Sequence, residues 1–386
     1  MYSVFQHWDP LKTCIVGRSY PPEFYSWIKE SRVRKLFEKI AEETEEDFQN
    51  IIKKLASFGV EVLRPELPNH PYNNGRYIRP PMTPRDHMIM IGNTFYENWS
   101  TNFNKLNYVD IKDSSWPDCN SWDEFNNLPF WIKDECIEVF NFGGVQKKHS
   151  EYDQIVSHIL KQGNTVKTGA TYLNGANTAR LGKDLFIGTN PGQSHFDIEK
   201  DRKHINSEFI NTRNHIIDTQ GHSDSTYCPV CPGLIISLCD ISNYSDTFPD
   251  WEVVYLPDQS WEKVKPFLDL KSKNGGKWWI PGFEYDSKVI ETVESWLCDW
   301  VGYVEETVFD VNLLIVDPKN VIVFNHNDKV FEALERYGIT PHVVPFRHRY
   351  FWDGGIHCIT ADLDREGVQQ DFFKQNSKQN SKQNSK

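Results

Sequence analysis

Apolar residues recur along this chain in a fixed order: two short runs split by a turn, then a helical pattern, then another short run. The clearest copy is NLLIVDPKNVIVFNHNDKVFEALERYGITPHVVPF, residues 312–346. Residues 313–316 and 321–324 predict two strands around a turn, and apolar positions at helical spacing predict a helix from about Asp328. Gly338 ends that helix, and HVVPF predicts the third strand. The segment is therefore a β-β-α-β unit.

Three other segments carry parts of the same pattern. TARLGKDLFIGT followed by INSEFINTRNHI predicts a second copy, and HMIMIGNTFYE predicts the hairpin of a third. Earlier in the chain, IIKKLASFGVEVLRP predicts a helix, a glycine stop and a strand. Units of roughly 50 to 70 residues indicate a closed pseudo-symmetric array in which each unit buries a face against the next. Functional groups are then expected near the axis of the array.

The domain organisation follows from what the sequence lacks. No Gly/Ser or Pro linker and no block of like charge interrupts the chain before Lys374. From there KQNSKQNSKQNSK repeats a polar tetrad that has no apolar surface to bury, which is typical of disorder. We therefore expect one α/β domain over residues 1–373 and a disordered, low-complexity tail over residues 374–386.

Composition and charge narrow the classes of function. The 386 residues are 39% hydrophobic and 25% charged, as in a globular protein, and the net charge is -12. An acidic surface argues against nucleic acid as a partner and favours a cationic or zwitterionic small substrate. No apolar run reaches the length of a membrane span, and the N-terminal residues lack the pattern of a signal peptide. We expect a cytoplasmic protein without a membrane partner, whose eight sparse cysteines are mostly free thiols.

The candidate nucleophile is Cys358, in the segment GGIHCITAD. On its own a cysteine is a buried apolar residue, a metal ligand or a nucleophile, and the last role requires a histidine that controls its proton. His222 and Asp224 are two residues apart in HSDST, and a strand would place them on the same face. His357 is predicted to face away from Cys358 and to be structural.

Two other motifs allow a functional or a structural interpretation. Asp86 stands in PPMTPRDHMIMIGN just before an apolar strand, where it either projects over the strand end or caps a turn. CPVC at 228–231 invites a zinc or redox interpretation, but no second cysteine pair follows at zinc-ribbon spacing. We therefore expect neither a metal nor a cofactor.

Together these segments resemble the arginine:glycine amidinotransferase family, which belongs to the guanidino-group-modifying enzymes of the pentein superfamily. Four motifs stand in the order of that family, from about residue 79 to residue 367: PRD with a strand and GN, NGANTARLGKDLF, HSDST with PGLIIS, and GGIHC with DLDREG. The resemblance implies a single-domain, pentein-type α/β-propeller built of pseudo-symmetric ββαβ modules.

The resemblance also implies a role for each candidate residue. Cys358 is expected to attack the guanidinium carbon of a donor, arginine or an analogue, and His222 to act as general acid and base. Asp86 and Asp224 are expected to bind the guanidinium, with Asn174 as a possible further substrate contact. The amidino group then passes from the cysteine to an amine acceptor such as glycine, or to water in a deiminase or dihydrolase. The family further implies a homodimer.

The sequence departs from the family pattern at five positions. Asn174 and Asn177 stand where acidic residues are expected, and an amide carries no charge. Ile241 aligns with an arginine that holds the donor's carboxylate, and Glu305 and Glu306 fall near substrate-facing serines. The two acidic replacements favour a substrate with an extra positive charge. The departures as a whole also leave open a guanidino hydrolase, or a catalytically altered protein that only binds a guanidino compound.

Overall fold

The computed structural model describes most of the chain. The described residues are 1–67, 72–73, 76–77, 80–97, 151–168, 173–189, 194–219, 222–240, 243–256, 280, 282–283, 285–297 and 308–373. The predicted tail, Ile241 and the Glu305–Glu306 pair lie outside these residues. Within them, no helix combines the length and the apolar character that crossing a membrane requires.

The regular elements alternate between short strands and helices. The strands are β1 (Leu11–Val16), β2 (Glu61–Leu63), β3 (Tyr72–Asn73), β4 (Arg76–Tyr77), β5 (Met88–Ile91), β6 (Thr94–Glu97), β7 (Thr165–Thr168), β8 (Thr178–Leu181), β9 (Asp184–Gly188), β10 (Arg213–Ile217), β11 (Tyr227–Cys231), β12 (Leu234–Ser237), β13 (Glu252–Tyr255), β14 (Leu314–Asp317), β15 (Asn320–Val323), β16 (Thr340–Val343) and β17 (Thr360–Arg365). The α-helices are α1 (Ser31–Ser57), α2 (Asp153–Lys161), α3 (His195–Glu208), α4 (Tyr244–Thr247), α5 (Ser287–Leu297), α6 (Val308–Val311), α7 (Asp328–Arg336) and α8 (Arg349–Trp352). The 3₁₀ helices are Pro22–Trp27, Pro84–Asp86 and Ser223–Ser225.

Within the described residues, five three-stranded sheets share one topology. In each sheet an antiparallel pair is followed by a third strand that runs parallel to the second. The sheets are β17-β1-β2, β5-β6-β7, β8-β9-β10, β11-β12-β13 and β14-β15-β16. A parallel pair needs a crossover connection, which α1, α3, α7 and the other helices between these strands supply. The predicted repetition of one module is therefore confirmed.

The module with the clearest sequence signature shows what sets its boundaries. Helix α7 begins after Asn327, whose side chain accepts a hydrogen bond from the Val330 amide, and Gly338 follows the helix at a φ of 68°. The third strand starts at Thr340, two residues before the HVVPF run. Thr340 pairs with Asn320 on β15, so strand pairing rather than the apolar run determines where β16 begins.

Both ends of the described fold meet in one sheet. Strand β1 pairs with β17 in antiparallel orientation and with β2 in parallel orientation. This pairing places Cys14 opposite Asp362, two residues from opposite ends of the sequence. The array is thereby closed by hydrogen bonds between its first and last strands, which leaves fewer exposed strand edges.

Some strands are buried on both faces. Every residue of β8, β9 and β12 is buried, including the polar or charged Thr178, Arg180, Asp184 and Ser237. Helix α1 packs against the sheet β17-β1-β2 and buries an apolar face that includes Phe37, Phe48 and Leu55. These layers give rigid support to the short segments that enter the strands.

One local prediction about the site is wrong. His222 and Asp224 do not lie on a strand, because Ser223–Ser225 forms a 3₁₀ helix and β11 starts only at Tyr227. The Asp224 amide donates to the Ala176 carbonyl oxygen at 3.0 Å, and the Ser223 amide donates to Asn177 Oδ1 at 3.2 Å. These bonds to a neighbouring module hold the segment in a tight turn that sequence alternation does not reveal.

Candidate active site

A polar or chemically active residue stands one to three positions before the first strand of each of the five modules. We call β5, β8, β11, β14 and β17 the leading strands, since each is the first strand of its sheet in the order given above. A chemically active or polar side chain precedes each of them: Asp86, Asn177, Asp224, Asn312 and Cys358. The Ser223–Ser225 helix contacts β8 and α6, and the Pro84–Asp86 helix contacts β17. The repeated topology thus brings these segments to one region of the protein.

Cys358 is buried, with 5% of its surface exposed. Its Sγ accepts a hydrogen bond from Asn312 Nδ2 at 3.1 Å and lies 3.6 Å from Asp224 Oδ2. Burial raises the pKa of the thiol well above its ordinary value, and the charges of Asp224 and Asp86 raise it further. The sulfur is therefore a protonated thiol when these carboxylates have no cationic ligand.

Asp224 links the thiol to His357. His357 Nδ1 donates to Asp224 Oδ2 at 2.8 Å, and burial together with Arg85 lowers the pKa of His357 to about 4, so its ring is neutral. Burial opposes ionisation of Asp224, but the hydrogen bond from His357 and the charges of His222 and Arg85 lower its pKa overall. Its other oxygen, Oδ1, is buried and has no hydrogen-bond partner among the described residues. The prediction that His357 faces away from Cys358 is wrong, because the His357 ring and the Cys358 sulfur approach the same oxygen of Asp224.

His222 stands beside Asp86. Nδ1 of the imidazole lies 3.7 Å from Asp86 Oδ1, and 40% of the histidine side chain is exposed. Burial favours the neutral ring, but Asp86, Asp224 and Asp353 outweigh it and raise the pKa of His222 above its ordinary value. The site therefore contains a histidine biased towards its protonated form and a thiol biased towards its protonated form.

The two asparagines at positions where the resemblance predicts acidic residues, Asn174 and Asn177, make local hydrogen bonds. Asn174 Oδ1 accepts from the Asn177 amide at 2.6 Å, and Asn177 Oδ1 accepts from the Ser223 amide. Both side chains are buried. They brace the segment before β8 against the segment that carries Asp224, and they add no negative charge to the site.

A buried ion cluster connects three of the sequence motifs. Asp362 lies 3.0 Å from Arg85, 2.8 Å from Arg180 and 2.6 Å from Arg365, and all four side chains are almost completely buried. Burial alone would raise the pKa of Asp362, but the three arginines hold it well below its ordinary value. Arg85 Nε also donates to the His357 carbonyl oxygen at 2.8 Å. Several residues of the sequence motifs therefore form a buried ion cluster that contacts the segment carrying Cys358.

Asn312 is the site residue that the sequence interpretation missed. A signal was present, because this polar residue directly precedes the apolar run of the clearest β-β-α-β unit. Cys358 and Asp86 stand in the same position relative to their own strands. Comparing corresponding positions of the repeated units, instead of motifs one by one, would have singled it out.

The CPVC segment forms strand β11. Burial raises the pKa of Cys228 to about 12 and that of Cys231 to about 11, so both are protonated at neutral pH. Among the described residues there is no group of three or more His, Cys, Asp or Glu side chains placed to hold a metal ion.

Comparison with known proteins extends the resemblance to the whole chain. No family model matches the sequence. Glycine amidinotransferase, mitochondrial, from Gallus gallus is 24% identical over 414 residues, covering 96% of this chain and 84% of the relative. Inosamine-phosphate amidinotransferase 1 from Streptomyces griseus is 22% identical, covering 95% of this chain and 97% of the relative. The chain is therefore similar to amidinotransferases over nearly its whole length.

A solved amidinotransferase structure has the same fold as this chain. The structure of the inosamine-phosphate amidinotransferase from Streptomyces griseus matches it with a TM-score of 0.60 at 17% identity, covering 96% of this chain and 99% of the other. With the five equivalent sheets, this match confirms the predicted pentein-type α/β-propeller.

Proposed function

We propose that this protein transfers an amidino group from a guanidino donor to an amine acceptor through a covalent intermediate on Cys358. The observation that carries the proposal is the position of the Cys358 sulfur, 3.6 Å from Asp224 Oδ2, in a site that Asp86 and His222 complete. Two carboxylates, a histidine and a buried thiol are the groups that attack on a guanidinium carbon requires.

The carboxylates would bind the donor and activate the nucleophile together. Asp224 Oδ1 offers an acceptor for a guanidinium N–H, and Asp86 supplies a second negative charge. A bound guanidinium neutralises the two charges that raise the pKa of Cys358, so donor binding itself favours the thiolate. The thiol stays protonated and weakly reactive until a donor is present.

The reaction needs one proton shuttle. The bound guanidinium also offsets the carboxylate charges that raise the pKa of His222, which favours the neutral ring. Neutral His222 then takes the thiol proton, and the Cys358 thiolate forms a C–S bond to the guanidinium carbon. The imidazolium then protonates the amine as its C–N bond breaks, leaving an amidino-cysteine. In the second half, the acceptor amine attacks the same carbon and gives a proton to His222, and the C–S bond breaks to release the thiolate.

The charges predicted around the site indicate which substrates it would bind. Asn174 and Asn177 leave the donor pocket with fewer carboxylates than the family pattern, and the sequence places Glu305 and Glu306 where serines are expected. An acceptor or donor with an additional ammonium group suits this balance, and Asn174 stays in the proposal as a substrate contact. A cytoplasmic location and a homodimer also stay predictions, and the vertebrate relative is named a mitochondrial enzyme.

Intact-protein mass spectrometry tests the proposal. The protein is incubated with L-arginine and a panel of guanidino donors, beside a Cys358→Ala variant and a control variant of the exposed Cys239, Cys239→Ala. We expect a gain of one amidino group in the unaltered protein and in the control, but not in Cys358→Ala. Added amines should then remove the group as amidinated products. Urea released from the amidino-cysteine, or a ureido product that keeps the donor's amine, would indicate a hydrolase. Donor binding without an adduct or product would overturn the proposal.

A further inference from the structure

The Asn312 side chain uses all of its hydrogen-bonding capacity at the nucleophile segment. Its Oδ1 accepts from the His357 amide at 2.7 Å and from the Cys358 amide at 3.3 Å. Its Nδ2 donates to the Asp224 carbonyl oxygen at 3.1 Å and to Cys358 Sγ at 3.1 Å. Two acceptor and two donor interactions are the full set that a primary amide makes in this geometry.

These partners determine which way the amide points. The backbone N–H groups of His357 and Cys358 need an acceptor, so Oδ1 must face them and Nδ2 must face the sulfur. A flipped amide would place its NH₂ group against two N–H donors and an oxygen against the Asp224 carbonyl. The donor at the sulfur therefore follows from the chemistry of its neighbours.

The surrounding backbone leaves room only for this arrangement. Asn312 is 1% exposed, and a Cβ added at Gly355 would lie 2.2 Å from Asn312 Oδ1. The glycine thus allows the amide to approach the backbone of the nucleophile segment closely. The same amide spans the segments that carry Asp224 and Cys358, which belong to different modules.

We propose that Asn312 is a positioning residue that holds the Cys358 sulfur at Asp224 and donates the hydrogen bond that stabilises the developing thiolate. The inference rests on the proposed nucleophilic role of Cys358. Burial and two nearby carboxylates disfavour negative charge on this sulfur. An N–H donor opposes both effects without adding a charge that would repel a guanidinium donor, as a lysine or arginine would.

Alkylation of Cys358 measures this role without any substrate. The rate of modification by iodoacetamide is followed against pH, with the Cys358 peptide quantified by mass spectrometry. Removing the donor in Asn312→Ala should lower the rate at a given pH below the thiol pKa by about 10- to 100-fold, because a hydrogen bond to a charged group is lost. The midpoint of the plot of alkylation rate against pH should also move to higher pH. Such a shift shows a change in the ionisation of the thiol, whereas a change in the access of iodoacetamide would alter the rate at every pH.

Asn164 provides a matched control. It is also buried, and its side chain accepts from the Tyr2 amide at 3.0 Å and donates to the Tyr2 and Asn93 carbonyl oxygens at 2.7 and 2.9 Å. Asn164→Ala should cost stability of a similar order but leave the Cys358 profile unchanged. An unchanged profile in Asn312→Ala, or an equal shift in both variants, would overturn the proposal.

A second measurement avoids variants of Asn312. In protein labelled with ¹⁵N at asparagine, one side-chain amide signal should move with the titration of Cys358 and be displaced in Cys358→Ala. Absence of such a signal would contradict the hydrogen bond. Both measurements report on the thiol alone, so they remain decisive even if no guanidino donor forms an adduct. If adducts do form, Asn312→Ala should slow their formation with little change in donor KM.

Discussion

Asp224 Oδ2 accepts a 2.8 Å hydrogen bond from His357 Nδ1 and lies 3.6 Å from the sulfur of Cys358. One carboxylate oxygen thus faces both the candidate nucleophile and the residue that precedes it in the chain. The neutral ring of His357 fixes the rotamer of Asp224 and leaves Oδ1 available for a ligand. This relationship orients the donor pocket relative to the thiol.

Loss of the His357 ring should weaken donor binding. In His357→Ala, Asp224 loses a hydrogen bond to its charged form and is free to rotate away from the donor. We expect the donor KM to rise about 10-fold or more, because hydrogen bonds to ionised groups contribute about 1.5–3 kcal/mol. His215 also pairs with a buried aspartate, Asp184, at 2.9 Å, so His215→Ala is the matched control and should leave KM unchanged. Equal effects in both variants would contradict a specific role for His357.

Removing the Asp224 charge should make the thiol more acidic while abolishing turnover. The carboxylate raises the pKa of Cys358, so Asp224→Asn should move the alkylation midpoint to lower pH and speed modification at neutral pH about 10-fold. Donor turnover should nevertheless fall below detection, since the guanidinium loses its charged partner. A thiol that is no more reactive in Asp224→Asn would refute the electrostatic account of the resting site.

His222 should titrate above the ordinary histidine value of about 6.5. Because its folded pKa is raised, the stability it contributes is complete below pH 6.5 and is lost as the pH rises through the folded pKa. Asp353, which adopts a φ of 49°, is one of the carboxylates responsible. In ¹H–¹⁵N spectra, Asp353→Asn should lower the pKa of His222 without disturbing the turn, since asparagine also tolerates this conformation.

The control for that measurement is Asp250, another aspartate in the left-handed region, with a φ of 68°. Asp250→Asn should leave the titration of His222 unchanged. A shift of the His222 titration in Asp250→Asn, or no shift in Asp353→Asn, would show that the raised pKa of His222 does not come from Asp353.

Restoring an acid at position 174 should be tolerated by the fold. Asn174 uses Oδ1 as an acceptor for the Asn177 amide, and an aspartate oxygen can make the same bond. We expect Asn174→Asp to retain a Tm within a few degrees of the original, to raise the pKa of His222 and to lower the KM for a guanidinium donor about 3- to 10-fold. Weaker donor binding in Asn174→Asp would indicate that the uncharged residue is required by the natural substrate.

By contrast, Asn164→Asp should destabilise the protein, because the Asn164 Nδ2 donates to two carbonyl oxygens that a carboxylate would repel. The comparison separates asparagines used as acceptors from those used as donors. Thermal unfolding of both variants tests this difference independently of any activity.

Local patterns in the sequence determined most of the module. The apolar runs, the Gly338 stop and the polar residue before α7 depend on neighbours within a few positions, so the hairpins and helices were predictable. The ordered motifs also brought together Cys358, His222, Asp224 and Asp86 as one candidate site. Periodicity alone did not show how these segments turn, and the strand predicted for His222 and Asp224 is a 3₁₀ helix.

The tertiary structure decided which atoms meet. Asp224 lies 134 residues before Cys358 in the sequence, and Asn312 lies 46 residues before it, so their contacts depend on how modules pack rather than on local propensity. The pairing of β1 with β17 and the burial of three arginines around Asp362 have the same long-range origin. Side-chain direction at a buried site is set by the hydrogen-bond partners that other modules supply, which is why the orientation of His357 and the contacts of Asn312 appeared only in three dimensions.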